Sequence, residues 1–396
     1  MSSWRGVLAL TLVVRDEEDI LAANFDYHLA QGVDVILAID HGSSDGTPDI
    51  LRDYERTGRV RSFRDEARPH VQAPRVNRLL RVAAEEHGAD WVIHCDADEF
   101  WMSAIGSLRD VFAAISERYG YIQVERRNFL PVPDGEEPFY RRMVVRQRRS
   151  LNLRGTGLEP KVAQRPGAAA AVAPGNHDLE APVMDPAPNI GAVEVLHFQL
   201  RTFEQFERKV IRNGVGHERN QDRAPDTGCD QLELLAMHRR GELRAYYDAE
   251  ALDAERIERG LELGELVIDR RLQAFLSSPQ IRVEESPAVQ EVLHRMWDLA
   301  GRGTEAHDAL AVVQARALAL EAQLDERTRE LDGRTRELDE TNRERDAACA
   351  RLARELEQAS GEAGEPRRML AAVRHSRIMR YSAPARRVYD RLRRAS

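Results

Sequence analysis

Cysteine is scarce in this sequence. Its 396 residues include three, Cys95, Cys229 and Cys349, spaced too widely for a disulfide framework or a zinc site. A reducing compartment is the simplest expectation. Long apolar runs are missing as well, since no stretch approaches the roughly 20 residues that span a bilayer. The opening "MSSWRGVLALTLVVRDEE" has a short apolar run that soon meets charge, without the apolar stretch and cleavage site of a secretory leader. The expected location is cytoplasmic, soluble or peripheral at the inner face of the membrane. Net positive charge is absent: 58 Lys and Arg stand against 67 Asp and Glu, a balance of −9. That sign argues against a general nucleic-acid binder, and no nucleic acid is expected among the partners.

What is present is enough apolar residue, 42%, for a globular core. The length exceeds one compact domain. "VLALTLVV" (Val7 to Val14) reads as a strand covered on both faces. Leu21, Phe25 and Leu29 mark one face of a helix, with Gly32 placed to end it. "DVILAI" (Asp34 to Ile39) is a second strand. "DHGSSDGTPD" follows as a loop, with Thr47 as N-cap and Pro48 at the first helical position. "VRSF" is a weaker strand, and a helix from about Pro74 to His87 leads into "WVIHC". Such alternation predicts a parallel sheet flanked by helices, an α/β fold. Further on, Tyr121 to Arg127 and Ala192 to Leu200 read as strands, with "RPGAAAAVAPGNHD" between them as a loop or edge. From about Gln205 to Asp298 the pattern is mostly helical, with Ser286-Pro287 starting one helix.

From Thr304 the composition shifts to Ala, Glu, Arg and Leu. "ERTRELD", "GRTRELD" and "ETNRERD" are adjacent heptads over residues 326–346. Leu324, Leu331, Leu338 and Leu352 share a d-type register, interrupted by Arg345, and Thr328, Thr335, Asn342, Cys349 and Leu356 hold the a-type positions. Leu at d with polar residues at a predicts a weak coiled coil that favours register over stability, and hence self-association; a single helix laced by ion pairs is the alternative. Between Pro366 and Ser396 there are ten Arg against one Asp. Interleaved with Met, Leu, Ile and Tyr, they predict an interfacial segment on an anionic membrane surface, against a solvated cationic end.

The stretch "WVIHCDADEFW" carries the chemistry. Asp96, Asp98 and Glu99 cluster where a buried strand ends, although like charges repel and each resists desolvation. A compensating cation is the natural partner. Oxygen ligands select Mg²⁺ or Mn²⁺, and one or two carboxylates leave room for phosphate oxygens of a substrate. The carboxyl ends of strands are also where open α/β sheets bind ligands. Asp40 in "LAIDHGSSDGT" and "VVRDEED" place polar groups at two more strand ends. An isolated D-x-D in a solvated turn is the bland alternative, and Asp40 and Asp45 also fit turn and cap roles.

"LTLVVRDEEDIL", "ILAIDHGSSDGTPDIL" and "ADWVIHCDADEFW" resemble, in order and spacing, the family 2-like glycosyltransferases of the GT-A fold, in particular a D-x-D-E-F subgroup related to family 92. The resemblance covers roughly residues 6–215. It implies a GT-A-type Rossmann-like sheet with flanking helices; together with the patterns above, the expected division is a transferase domain over 1–220, a helical extension over 221–303, the coiled coil over 304–360 and the basic tail over 361–396. It also implies Mn²⁺ or Mg²⁺ and a UDP- or GDP-linked sugar donor, with Asp96 and Asp98 on the metal and diphosphate and Arg15, Glu17 and Asp40 on the nucleoside. Asp16 is a mild departure, since family members often carry Asn there; Asp45 is read as ordering its loop. "KVAQRPG", "GNHD" and "LHFQLRTFEQFERKV" extend the likeness. His177 is the favoured late metal ligand and His197 the second, while Lys161 would neutralise a phosphate. The acceptor would be a glycan or lipid-linked hydroxyl, in polysaccharide biosynthesis by analogy. Asp178, Glu159 and Glu99 are candidates for the general base of an inverting transfer, Asp178 first for its place beside His177. The rivals are a sugar-nucleotide-forming nucleotidyltransferase, a glycan-binding scaffold built around the coiled coil, and more distantly a metal-dependent hydrolase. The first should carry a Gly-rich phosphate loop where this chain reads "RDEEDI".

Overall fold

The continuous apolar run at Val7–Val14 forms strand β1, almost wholly buried. This is the burial that a run without alternation demands. Helix α1 (Leu21–Ala30) turns Leu21 and Phe25 into the core, and the chain leaves it through Gly32 at a φ of +92°. Strand β2 (Val35–Asp40), helix α2 (Thr47–Glu55), β3 (Val60–Arg64), α3 (Gln72–His87) and β4 (Ala89–His94) complete the alternation. The N-cap of α2 is Gly46 rather than Thr47, because the Thr47 hydroxyl is taken by the backbone N–H of Glu17, at 2.9 Å. The coordinates are a computed structural model describing residues 4–65, 72–151, 156–219, 228–278 and 285–301. The expected coiled coil at 304–360 and the basic tail at 361–396 lie outside the described residues.

The chain continues through β5 (Glu99–Ser103), α4 (Leu108–Ala114), β6 (Tyr119–Val124), β7 (Arg126–Asn128), the one-turn α5 (Phe139–Arg142) and β8 (Val145–Gln147). Short strands follow: β9 (Lys161–Gln164), β10 (Ala171–Val172), β11 (Leu179–Glu180), β12 (Asp185–Pro186) and β13 (Val193–His197). The helical part comprises α6 (Phe203–Arg219), α7 (Cys229–Arg239), α8 (Leu243–Glu250), α9 (Ala254–Glu262), α10 (Arg271–Ser277) and α11 (Pro287–Ala300), with β14 (Leu266–Ile268) before α10. Ser286 caps α11 through its side chain, with Pro287 just inside.

The central sheet is mixed, not parallel as its opening alternation suggests. Its order is β12-β6-β9-β4-β1-β2-β3. Strands β4, β1, β2 and β3 run parallel, and β9 runs antiparallel to both β4 and β6. Among the described residues β8 rather than a crossover helix is the element before β9, and such a connection does not require a parallel direction. A second sheet, β5-β13-β7, sets His197 opposite both Glu99 and Asn128. Phe100 and Trp101, directly after the acids, are fully buried anchors of β5.

The expected border near residue 220 is not a border in the packing. Leu272 of α10 and Leu293, Met296 and Trp297 of α11 belong to the same apolar cluster as Trp91, Trp101 and Phe112. All of the described residues lie within one compact unit, Met1–Val313. No helix among the described residues is long and apolar enough to cross a membrane.

Candidate active site at the carboxyl end of the sheet

Strands β4, β1 and β2 are neighbours, so the loops after them share one edge of the sheet. The loops after β1 and β2 are hydrogen-bonded into a single unit. Asp16 accepts from the Ser44 N–H at 2.7 Å, and its own N–H donates to Ser43 Oγ at 3.0 Å. Asp40 accepts from the Ser43 N–H at 2.9 Å, and Glu18 from the Gly46 N–H at 2.7 Å. Asp45 accepts from the N–H groups of Thr47 and Glu18, at 2.9 and 3.1 Å, a loop-ordering role. Asp16 has a φ of +53°. Asn and Asp both tolerate that left-handed region, which accounts physically for the exchange of one for the other. Arg15 lies here too, its Nε 3.6 Å from Asp16.

The acid turn joins β4 to β5, and its three carboxylates go three ways. Asp96, 31% exposed, receives the Lys161 ammonium at 2.5 Å on one oxygen; Gln72 at 2.7 Å and Asn176 at 3.4 Å donate to the other. Asp98 is buried and meets the Lys209 ammonium on α6, with His197 Nε2 at 3.7 Å. Glu99 is 0% exposed, with Lys161 Nζ 3.1 Å from its Oε1, at an angle too poor for a hydrogen bond. Burial opposes ionisation of Asp98, but Lys209, His197 and Arg201 outweigh it and hold its pKa well below the usual value. Burial likewise opposes Asp96, and Lys161 prevails, lowering it. At Glu99 burial wins over Lys161, and the pKa is raised.

Sequence spacing singles out His177, yet it is Asn176 that reaches the acid turn. Asn176 adopts a φ of +62° and is nearly fully buried. Its Oδ1 is buried without a hydrogen-bond partner among the described residues. His177 Nδ1 instead lies 2.9 Å from the Pro160 carbonyl, which can only accept, so this nitrogen carries the hydrogen. Its Nε2 is 3.4 Å from Glu159. Burial, with Lys161 and Arg126 nearby, lowers its pKa to about 4, leaving a neutral ring at pH 7. His197 is tied to Asn128 Oδ1 at 2.8 Å, facing Asp98. Asp178 accepts from Gln123 at 3.2 Å. Lys161, expected on a phosphate, is 1% exposed and committed to the acids.

Three further cations shape the site. Arg201, fully buried, grips Asp19 at 2.6 and 2.9 Å and Glu17 at 2.5 Å. Lys209 and Arg212 come from α6, Arg212 donating to the Arg15 carbonyl at 2.5 Å. Gln205, Lys209 and Arg212 follow an i, i+4, i+7 stripe beside the apolar Phe206 and Val210. That second stripe is the signal in the sequence that points to them.

Chemically, Asp96 and Asp98 are hard oxygen donors on one turn, with the Asn176 amide beside Asp96. Among the described residues no three His, Cys, Asp or Glu side chains converge into a ready cage. Carboxylate oxygens of this kind suit hard divalent ions such as Mg²⁺ or Mn²⁺.

Among solved structures, S. aureus TarS 1–349 is 13% identical, with 77% of this chain and 83% of that chain covered at a TM-score of 0.31. The mannosyltransferase PcManGT from Pyrobaculum calidifontis, in complex with GDP-Man and Mn²⁺, is 14% identical, with 75% and 88% covered at 0.32. Glucosyl-3-phosphoglycerate synthase from Mycobacterium tuberculosis, with Mn²⁺ and UDP, is 17% identical, with 31% and 45% covered at 0.23. No curated protein matches the chain. Residues 11–164, from within β1 to the end of β9, match the family model described as Glycosyl transferase family 2, which supports that superfamily over this segment.

Proposed function

We propose that the protein moves a hexose from a UDP- or GDP-linked donor to a hydroxyl of a glycan or lipid-linked acceptor, with inversion at the anomeric carbon. The observation that carries this reading is the acid turn Asp96-Ala97-Asp98, at the carboxyl end of β4 inside the matched segment. Membership in the D-x-D-E-F subgroup related to family 92 is part of the proposal. So are self-association through 304–360 and membrane contact through 361–396.

Asp96 and Asp98 would hold a Mn²⁺ or Mg²⁺ ion, with the Asn176 amide beside Asp96 and His197 behind Asp98. When bound, such an ion supplies positive charge that stabilises the leaving diphosphate. Arg15, Glu17 and Asp40 would contact the nucleoside from the β1 and β2 loops. Arg201 keeps Glu17 oriented by its 2.5 Å contact. Lys161 keeps Asp96 ionised and in place. For the general base the candidates are Asp178, Glu159 and Glu99, of which Glu99 is fully buried in this structure. A base must reach the acceptor proton directly or through one water.

The test is a screen of sugar nucleotides with Mn²⁺ present, following release of nucleoside diphosphate. Asp96→Asn and Asp98→Asn should lose on the order of a hundredfold or more of the turnover. Equal turnover in the wild type and both variants would remove the assignment.

A further inference from the structure

The two lysines of the acid turn are held differently. Lys161 sits on β9, inside the central sheet, and is 1% exposed. Its ammonium serves Asp96 at 2.5 Å, Glu99 at 3.1 Å and the Gly175 carbonyl at 2.9 Å. The turn bearing that carbonyl is itself locked: Gly175 has a φ of +80°, and an added Cβ would lie 2.4 Å from the His177 ring. Withdrawing Lys161 would leave Asp96 and the Gly175 carbonyl without their cation and Glu99 with only the Arg126 guanidinium, at 3.9 Å.

Lys209 has fewer ties. It sits on α6 with a side chain 22% exposed, against Asp98 and, at 4.0 Å, Glu17. Glu17 has a second cation, the Arg201 guanidinium at 2.5 Å. Withdrawing Lys209 therefore deprives only Asp98, which still faces His197 at 3.7 Å. The lysine stem is long and its ammonium is a mobile point charge. A divalent ion on the acid turn would draw on the Asp98 carboxylate, whose Oδ2 the ammonium now holds, and its charge would be repelled by that ammonium. A diphosphate arriving there would bring new negative charge within reach of the displaced ammonium.

We propose that Lys209 is a built-in, displaceable counter-cation: it neutralises Asp98 before the donor binds, yields Asp98 to a divalent ion, and then engages the donor diphosphate, while Lys161 stays in place. This rests on the nucleotide-sugar reading of the site and adds a positioning residue to it.

The test is Mn²⁺ binding by the full chain, read from the electron paramagnetic resonance signal of unbound Mn²⁺, with and without UDP or GDP. Without nucleotide, Lys209→Met should bind Mn²⁺ about tenfold more tightly than the wild type, the size of one charge-assisted hydrogen bond. With UDP or GDP that advantage should vanish or reverse, because the ammonium meant for the diphosphate is gone. Lys209→Arg, which keeps the charge, should stay close to the wild type without nucleotide. If Lys209→Met does not fold, Lys209→Gln carries the same comparison. Equal Mn²⁺ affinity of Met or Gln variant and wild type overturns the proposal, and so does an advantage undiminished by nucleotide. Failure of the transferase reading looks different: no sugar nucleotide is turned over, while the Mn²⁺ and nucleotide effects persist.

Discussion

The acids after β1 and β2 and the acids after β4 are neutralised by different kinds of partner. In the first region Asp16, Asp40, Asp45 and Glu18 accept from backbone N–H groups, those of Ser44, of Ser43, of Glu18 and Thr47, and of Gly46, while Glu17 and Asp19 are held by the buried Arg201 guanidinium. In the second they are ammonium groups brought from distant segments, Lys161 and Lys209. A backbone donor cannot leave without reshaping its loop, whereas an ammonium on a flexible stem can. The first region is thus a fixed wall, and the second is a place where one cation can be exchanged for another. Glu17 bridges the two, its N–H on Thr47 and its carboxylate on Arg201.

The largest expected effect on stability tests whether Lys161 belongs to the fixed part of the acid turn. Lys161→Met should destabilise the fold by about 3–5 kcal/mol, because it leaves buried carboxylate charge uncompensated. Burial works against the charged lysine, but Asp96 and Glu99 outweigh it and raise its pKa above the ordinary 10.5. A raised folded-state value gives stability that is complete below the ordinary value and is lost as pH rises through the folded one. Urea unfolding midpoints should therefore show the full gap between wild type and variant at neutral pH and a shrinking gap above pH 10.5. A gap unchanged at high pH would break the comparison.

A smaller effect probes the wall. Asp45→Ala removes two bonds to backbone N–H groups and should cost about 1 kcal/mol. Mn²⁺ affinity at the acid turn should not change. A loss of affinity as large as that of Asp98→Asn would erase the distinction between the two regions.

How much of this could be read in the sequence depends on the region. Strands β1, β2 and β4 are continuous apolar runs bounded by turn residues, and the acids after them stand out against that background. Strand β5 was hidden because Glu99 opens it and the next three residues are buried on both faces, so no alternation marks it. Strand β9 is four residues long, and its direction depends on neighbours far away in the chain. The helices of residues 228–301 read correctly as helices, but nothing local tells that Trp297 enters the first core. In the site, Asp96 and Asp98 are legible by position and Lys209 by its place on the polar stripe of α6, whereas Arg201 resembles an ordinary surface charge until packing buries it. The choice between His177 and Asn176 turns on one backbone dihedral. A left-handed Asn176 aims its amide at Asp96 and sends the imidazole toward Pro160.

The most direct measurement is phosphorus hyperfine coupling to Mn²⁺ in the full chain with UDP or GDP. The account predicts a protein-bound Mn²⁺ coupled to diphosphate phosphorus, lost in both Asp96→Asn and Asp98→Asn. An identical coupled, protein-bound signal in both variants would contradict it.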